Sequence, residues 1–252
     1  MTTHPNSVLI HVGPALVVVL VVLVVVAVAI NRWSGSGLGA DTGVAVVRAV
    51  IQLAALAAIL AVVITRLWAS ALFVVVMALA AAWTSAGRIA HGRKSIRLAA
   101  TCLVPVAVPT IVVVGVLVAI GVIPASGIAI IPTAGIMFGG AMNTTSLAGR
   151  RADDELRTRH GEVDAARSLG FSERDARLEI IRTAASTALI PGLDQTRSVG
   201  LVTIPGAFVG MVLGGASTTT AAVMQLFVLI ALLAVSAIAV AVTVELVAHD
   251  MV

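Results

Sequence analysis

The sequence predicts an all-α fold: a polytopic membrane protein of about seven transmembrane helices, with one helix–turn–helix segment in water. The 252 residues are 60% hydrophobic and only 11% charged, and the mean hydropathy is +1.11. Several apolar runs reach the roughly 20 residues that a helix needs to cross a bilayer. Eight of the sixteen Lys and Arg residues and eight of the twelve Asp and Glu residues fall between positions 150 and 182. Because so charged a stretch cannot lie in lipid, it separates two groups of spans.

Seven apolar segments are predicted to cross the membrane as helices, and they leave no room for a water-soluble catalytic domain. We therefore expect a single transmembrane domain over residues 1–252. The sixth segment is interrupted by Pro191-Gly192 and again by Pro205-Gly206, which break or kink a helix and free backbone groups for other contacts. The predicted spans are residues 9–30, 43–65, 69–86, 98–122, 128–148, 187–213 and 221–247.

The distribution of basic residues predicts how these spans are oriented. Residues 88–97 and 149–188 together hold twelve of the sixteen Lys and Arg residues, and basic loops of this kind favour the cytoplasmic side. Because seven is odd, this puts the amino terminus outside and the carboxy terminus in the cytoplasm. The first apolar run is too long for a cleaved signal peptide and has no Lys or Arg before it, so we expect it to remain as an anchor. The same loops account for an isoelectric point near 10.9 without nucleic-acid binding.

The charged segment, residues 149–188, has the pattern of two short helices joined at a glycine. Residues 162–169 can form about two helical turns, and Gly170 offers the left-handed conformation at which helices often end. Ser172 and Asp175 form a capping box for a second helix. That helix has one apolar face, while Arg174 and its charged neighbours fall mostly on other faces. The apolar positions are Leu178, Ile181, Ala185 and Leu189. A solvated loop with incidental helix is the alternative.

Few polar or sulfur-bearing side chains occur inside the spans, and these are candidates for a substrate path. Arg48 and Gln52 share a helix face, although Arg48 near its helix end can also extend to the membrane surface. Met137 offers sulfur to a metal, whereas methionines in apolar helices usually fill the core. Gly135 and Gly139 favour close helix packing over substrate contact. The candidate path residues are Arg48, Gln52, Met137, Asn143, Pro205 and Gly206.

Catalytic chemistry within the chain is not expected. The five His residues lie in tails, loops or span ends, and no His-Glu-x-x-His pattern occurs. Residues 92–95 resemble a phosphate-binding loop only superficially, because an apolar span replaces the strand that such a loop follows. A secondary transporter or channel without an ATPase partner remains the alternative function, since such proteins use helices broken by Pro and Gly. Its ion-coupling acids would have to be Asp194 or Glu245, both near span ends.

Two groups of residues carry a family resemblance. Asp164-Ala165-Ala166, followed after three residues by Gly170, resembles the loop by which permease subunits of ABC transporters dock on their ATPase. Residues 188–196 and 199–206, together with the Pro-x-x-Gly-x-Met run at 132–137, resemble the FetB/YbbM-like ABC transporter permease family of the UPF0014 type. This bacterial family is associated with iron export.

The resemblance implies a permease subunit of an ABC-type exporter in the bacterial plasma (inner) membrane. It implies a homodimer, a separate ABC ATPase subunit, and a cytoplasmic helix–turn–helix coupling loop at about residues 149–188. No cofactor is expected. Membrane lipid is an expected partner of the chain, and nucleic acid is not. The substrate is iron, another metal or an organic solute. The residues expected to couple to the ATPase are Asp164, Ala165, Ala166, Leu169 and Gly170.

Overall fold

The computed structural model describes residues 13–90 and 95–251, and these residues are almost entirely helical. Six of the described helices are long and apolar enough to cross a membrane. The predicted all-α, polytopic membrane fold is therefore confirmed. The chain divides into two compact units, Met1–Val62 and Val63–Val252. The expectation of one domain over residues 1–252 stays a prediction.

The described part of the first unit consists of two apolar helices, α1 (Pro14–Trp33) and α2 (Gly39–Val63). Most of their large apolar side chains are exposed, which is typical of helices that face lipid. The turn between them is held where the Asn31 side-chain amide donates to the Thr42 hydroxyl at 2.9 Å.

Four long helices form the core of the second unit. They are α3 (Leu67–Ile89), α4 (Ile96–Ala119), α5 (Gly127–Thr158) and α10 (Thr218–Ala248). Their buried side chains meet in one cluster that includes Ala78, Val106, Phe138 and Val235. Gly140 permits the close contact between α5 and α10, because a Cβ there would overlap the Leu232 side chain.

The predicted close packing at the fifth span is confirmed only in part. A Cβ on Gly135 would lie 3.0 Å from Met77 Cε, so this glycine does permit a tight contact with α3. Gly139 has no atom within 4 Å of a built Cβ and faces open space. The two glycines thus have different roles, although they lie one turn apart.

Two short helices make up the charged segment beyond the end of α5. They are α6 (His160–Ser168) and α7 (Glu173–Ser186). The α7 face predicted to be apolar does pack inward, with Ile181 and Ala185 fully buried against the ends of α5 and α10. The prediction of two helices joined at a glycine is confirmed, and α7 packs on the ends of α5 and α10.

The segment predicted as the sixth span is not one continuous helix. It begins with a 3₁₀ turn (Thr187–Leu189) and continues as α8 (Ile190–Ser198), an irregular stretch over 199–205, and α9 (Gly206–Leu213). Gly200 is left-handed, with φ of +81°, and Pro205 has no N–H to donate, so the helix cannot continue between them.

This broken segment nevertheless runs the length of the second unit. Arg177 on α7 pairs with Asp250, just beyond the end of α10, and α7 follows the end of α5 with α6 between them. The carboxy-terminal ends of α5 and α10 therefore lie together. A chain that leaves at this end must return to the opposite end before it enters α10, and residues 187–217 make that crossing.

The two basic regions lie at the same end of the second unit. Arg150 Nε donates to the carbonyl oxygen of Arg88, and a Cβ on Gly149 would lie 2.7 Å from Ile89 Cδ1. Residues 91–94 of the first basic loop lie outside the described residues. For the remainder, the expectation that both loops share one side is confirmed.

Candidate functional site

The turn between α6 and α7 is defined by its backbone hydrogen bonds. The N–H of Phe171 donates to the carbonyl of Ala166 at 3.2 Å, and the N–H of Gly170 donates to that of Arg167 at 3.0 Å. This is a Schellman motif, which needs a left-handed residue at its turn, and Gly170 has φ of +94°. The glycine therefore ends α6 as predicted.

The helix that follows is capped by Ser172. The N–H of Asp175 donates to the Ser172 hydroxyl oxygen at 3.1 Å, and that hydroxyl donates to the Asp175 carboxylate at 2.7 Å. The hydrogen bond from Ser172 is the main reason that the pKa of Asp175 is lowered, and nearby Arg174 lowers it further. The cap thus favours a charged carboxylate in the first turn of α7, where it interacts well with the helix dipole.

The turn presents apolar side chains to the outside. Leu169 is 81% exposed and Phe171 is 51% exposed, on either side of Gly170. Among the described residues, none places an atom within 4 Å of a Cβ on Gly170, apart from its own chain neighbours. In a segment that is otherwise charged, this is an apolar tip with open space above it, and we call Leu169, Gly170 and Phe171 the hairpin tip.

The structure brings the five predicted coupling residues together at this hairpin. Asp164 and Ala165 are exposed on α6, and Ala166 is half-buried against α7. Arg167 pairs with Asp164 at 3.8 Å, so the acidic residue retains a loose partner within α6. The predicted set therefore lies on the last turns of α6 and in the hairpin tip, with Ala166 turned towards α7.

Ion pairs fasten the hairpin to α10. Arg174 pairs with Glu245, and Arg177 Nη1 lies 2.8 Å from Asp250 Oδ1. The sequence pattern put Arg174 mostly on a solvent face; instead it reaches across to α10, because α7 lies against the end of that helix. Hydrogen bonding to Glu245 raises the pKa of Arg174 further above its usual range.

At the start of α6 an ion pair between Arg159 and Glu162 orients the bend between α5 and α6. Arg159 donates to Glu162 through Nε at 2.7 Å and through Nη2 at 2.5 Å. This two-pronged contact raises the pKa of Arg159 and lowers that of Glu162. Both side chains are exposed, so the pair orients the bend more than it stabilises the fold.

The predicted path residues of the second unit lie in different surroundings. Met137 is buried in the helix core at 1% exposure, which fits the filler role and not a metal contact. Asn143 accepts a hydrogen bond from Arg88 at 2.8 Å. Arg48 and Gln52 are exposed and belong to the first unit.

The break in the sixth crossing is the remaining part of the predicted path. Pro205 precedes α9 as its N-cap and Gly206 is the first residue of that helix. Pro205 also lines a cavity of about 350 Å³, the outer cavity, between the broken crossing and α10. Its other walls include Val199, Phe208 and Gln225.

A second cavity of about 350 Å³, the inner cavity, lies between α5, α8 and α10. Asn143 lines it, together with polar side chains that are not among the predicted path residues. Ser236 on the inner cavity and Gln225 on the outer cavity could have been predicted from the sequence as path residues. They are polar residues eleven positions apart in an apolar run and so share one helix face. The polar side chains of the inner cavity are those of Asn143, Thr144, Gln195, Thr196 and Ser236.

Within residues 13–90 and 95–251, no three His, Cys, Asp or Glu side chains are grouped closely enough to hold a metal ion. Both cavities are lined by neutral groups in the described part of the chain. Their polar atoms are amides and hydroxyls, which form hydrogen bonds more readily than they bind transition metals.

Comparison with known proteins gives a consistent relationship. Residues 14–252 match the family described as uncharacterised protein family UPF0014. The chain is 31% identical over 204 residues to the UPF0014 membrane protein STAR2 of Oryza sativa subsp. japonica, with 80% of this chain and 70% of the rice protein covered. It is 30% identical over 210 residues to the UPF0014 membrane protein slr1647 of Synechocystis, with 81% of this chain and 80% of the Synechocystis protein covered.

A shorter similarity concerns a protein with a named activity. The chain is 29% identical over 109 residues to the probable iron export permease protein FetB of Escherichia coli, which covers 43% of this chain and 42% of that protein. No solved structure matches the sequence.

Proposed function

Because the chain belongs to the uncharacterised protein family UPF0014, we propose that it is the permease subunit of an ABC-type exporter. It moves iron or another metal out of the cytoplasm, as a homodimer that works with two copies of a separate ATPase subunit. The sequence contains no Gly-Lys-Ser/Thr phosphate-binding loop, so the energy comes from that partner.

The observation that carries this proposal is the hairpin tip. Leu169 and Phe171 expose apolar surface on a segment too charged for lipid, and such surface is typical of a protein contact. The partner is a folded protein with a shallow apolar cleft that accepts a glycine turn. The exposed Asp164 and Ala165 extend the contact along α6.

The ion pairs between α7 and α10 give this contact a mechanical consequence. A movement of the hairpin transmitted through Arg174–Glu245 and Arg177–Asp250 shifts α10, which lines both cavities. ATP binding by the partner can in this way change the shape of the cavities without touching them. The permease lies in the bacterial plasma membrane with the hairpin and the carboxy terminus in the cytoplasm and the amino terminus outside.

The choice of a metal as the cargo rests on the similarity to the probable iron export permease FetB of Escherichia coli, which covers less than half of each chain. The direction of transport, export as opposed to uptake, rests on the same relative. The described cavities supply no ligand set that selects one metal ion.

Co-expression with a small ABC ATPase from the same genome tests the proposal. The purified permease alone should not hydrolyse ATP, and the ATPase should co-purify with it and turn over in proteoliposomes. A hairpin variant in which Leu169 and Phe171 are both replaced by serine should lose the partner while it still inserts in the membrane. If this double variant retains the partner and full turnover, the hairpin does not dock on the ATPase.

A further inference from the structure

The inner and outer cavities meet at a single helix face. Gln225, Leu229 and Ser236 lie four and seven residues apart along α10 and so follow one another along one side of it. Leu229 lines both cavities and is 2% exposed. The two spaces are therefore neighbours, with the Leu229 side chain at their shared wall.

The cavities extend towards opposite ends of the second unit. The inner cavity is lined by Leu147 and Ala188, next to the charged segment, and Asn143 there is bound by Arg88. The outer cavity is lined by Pro205 and Ala222, close to the amino-terminal end of α10. Together their walls run along α10 from Ala222 to Ser236.

Each cavity has a buried polar side chain of α10 in its wall. Gln225 is 7% exposed on the outer cavity, and its side-chain oxygen accepts no hydrogen bond from the residues that the structure describes. Ser236 is 6% exposed and lies on the inner cavity. A buried polar group without a partner is costly unless water or a ligand satisfies it. Irregular backbone, such as residues 199–205, is likewise tolerated at membrane depth where it lines a wet cavity.

We propose that these two cavities form the transport route, with Leu229 as the gate between them, and that the cargo is a metal ion enclosed in its own small-molecule ligands. The proposal rests on the proposed function for its cargo but not for its route. A bare transition-metal ion needs carboxylate, imidazole or thiolate ligands, which the described walls of both cavities lack. Amides and hydroxyls suit the oxygen atoms of a complex. Arg88 does not line the inner cavity, but it donates to the lining residue Asn143 and so brings a positive charge close to it, which favours an anionic complex.

Cysteine labelling tests the route without an ATPase or a substrate. Cys102 is the only cysteine of the sequence and is buried at 1% exposure, so it provides an unreactive background. Ser236→Cys should react with a membrane-impermeant thiol reagent only from the side of the charged segment, and Gln225→Cys only from the other side. The matched control is Ala237→Cys, since residue 237 is exposed on the apolar surface and does not line either cavity.

The water-filled route predicts that Ser236→Cys reacts at least about tenfold faster than Ala237→Cys, because thiolates form in water and not in lipid. Adding Leu229→Ala to Gln225→Cys should make residue 225 reactive from the charged-segment side as well. Unreactive thiols in both Gln225→Cys and Ser236→Cys, or equal rates at positions 236 and 237, would overturn the route. If the Gln225→Cys thiol keeps its original sidedness in the Leu229→Ala background, Leu229 is not the gate.

ATPase stimulation tests the cargo. With the partner ATPase in proteoliposomes, ferric citrate and the redox-inert gallium citrate should both stimulate ATP hydrolysis at least about tenfold over free citrate, since export is coupled to turnover. Stimulation by aqueous Fe²⁺ alone would overturn the cargo class while leaving the exporter assignment intact. Failure of the ATPase to co-purify concerns the proposed function and leaves the labelling result to stand on its own.

Discussion

Gly170 shows how one residue serves both a local turn and a proposed interface. Its φ of +94° belongs to the left-handed region, where a side chain with a Cβ is disfavoured by about 1 kcal/mol or more. No residue in the described part of the chain occupies the space where its side chain would point. The turn geometry and the partner contact can therefore be separated by choosing the substituent.

Gly170→Val should reduce co-purification of the ATPase and export, because it both strains the turn and adds bulk at the tip. Gly170→Asn keeps more of the left-handed preference and still adds bulk. If the ATPase fits closely over the hairpin tip, neither variant should retain the ATPase in a pull-down from detergent extracts. Loss with Val but not with Asn would assign the effect to the turn alone.

The control for both variants is Arg182→Ala, since Arg182 is exposed on α7 away from the tip. Arg174 is unsuitable as a control because it pairs with Glu245 on α10. Arg182→Ala should leave partner binding unchanged, as exposed charges typically contribute below about 1 kcal/mol.

Gly140 has the opposite environment, because the space for its side chain is already filled by Leu232. Gly140→Val should destabilise the α5–α10 contact by about 1–3 kcal/mol, the usual cost of overpacking. Gly139→Ala is the matched control, one residue away in open space. A thermal unfolding midpoint in detergent should fall for the first variant and not for the second.

Among the helices, α7 is the one that connects the hairpin of the charged segment with the long helices α5 and α10. Ile181 and Ala185 anchor its buried face, and Arg174 and Arg177 fasten its other side to the end of α10. Arg177→Ala combined with Arg174→Ala should loosen this connection without unfolding α7, since the apolar face remains. Hydrogen exchange at residues 245–250 should become faster, whereas the exposed-site variant Glu179→Ala should leave it unchanged.

The amino-terminal cap of α7 should depend on pH. The hydrogen bond from Ser172 lowers the pKa of Asp175 in the folded protein, so its contribution is fully present above the ordinary Asp pKa of about 4. It is lost as the pH falls through the lowered value. Amide protection of residues 175 and 176 should stay constant between about pH 7 and 5 and decrease only in stronger acid. Ser172→Ala should shift this loss to higher pH; an unchanged profile would exclude the cap as its cause.

The arrangement of the second unit gives a topology prediction. Reporter fusions at Asp164 and His249 should give the same signal, because α7 and the end of α10 are joined by ion pairs. Fusions at Ser126 and Ser217, which cap the opposite ends of α5 and α10, should give the other signal. Under the proposed orientation, fusions at Asp164 and His249 give a cytoplasmic signal, and a fusion at Arg93 gives the same signal. An external signal at Asp164 would be incompatible with ATPase docking.

The sequence alone determined the membrane class, the positions of six helices, and the hairpin of the charged segment. These follow from local rules: apolar length sets the spans, and Gly170 with Ser172 sets the turn and the cap. The path residues followed less directly from the sequence than the spans did. Met137, for example, is buried in the helix core, and composition cannot distinguish a sulfur atom that fills the core from one that lines a cavity.

Only the tertiary structure decided which polar residues meet. Arg174 pairs with Glu245, 71 residues away, and Gln225 and Ser236 flank the cavities that Leu229 divides. The break of the sixth crossing was visible as Pro205-Gly206, but its role was not, since a broken helix forms a cavity only where a neighbouring helix completes the wall. Contacts between distant residues depend on how helices pack, and a pattern within one helix carries no information about the face of another.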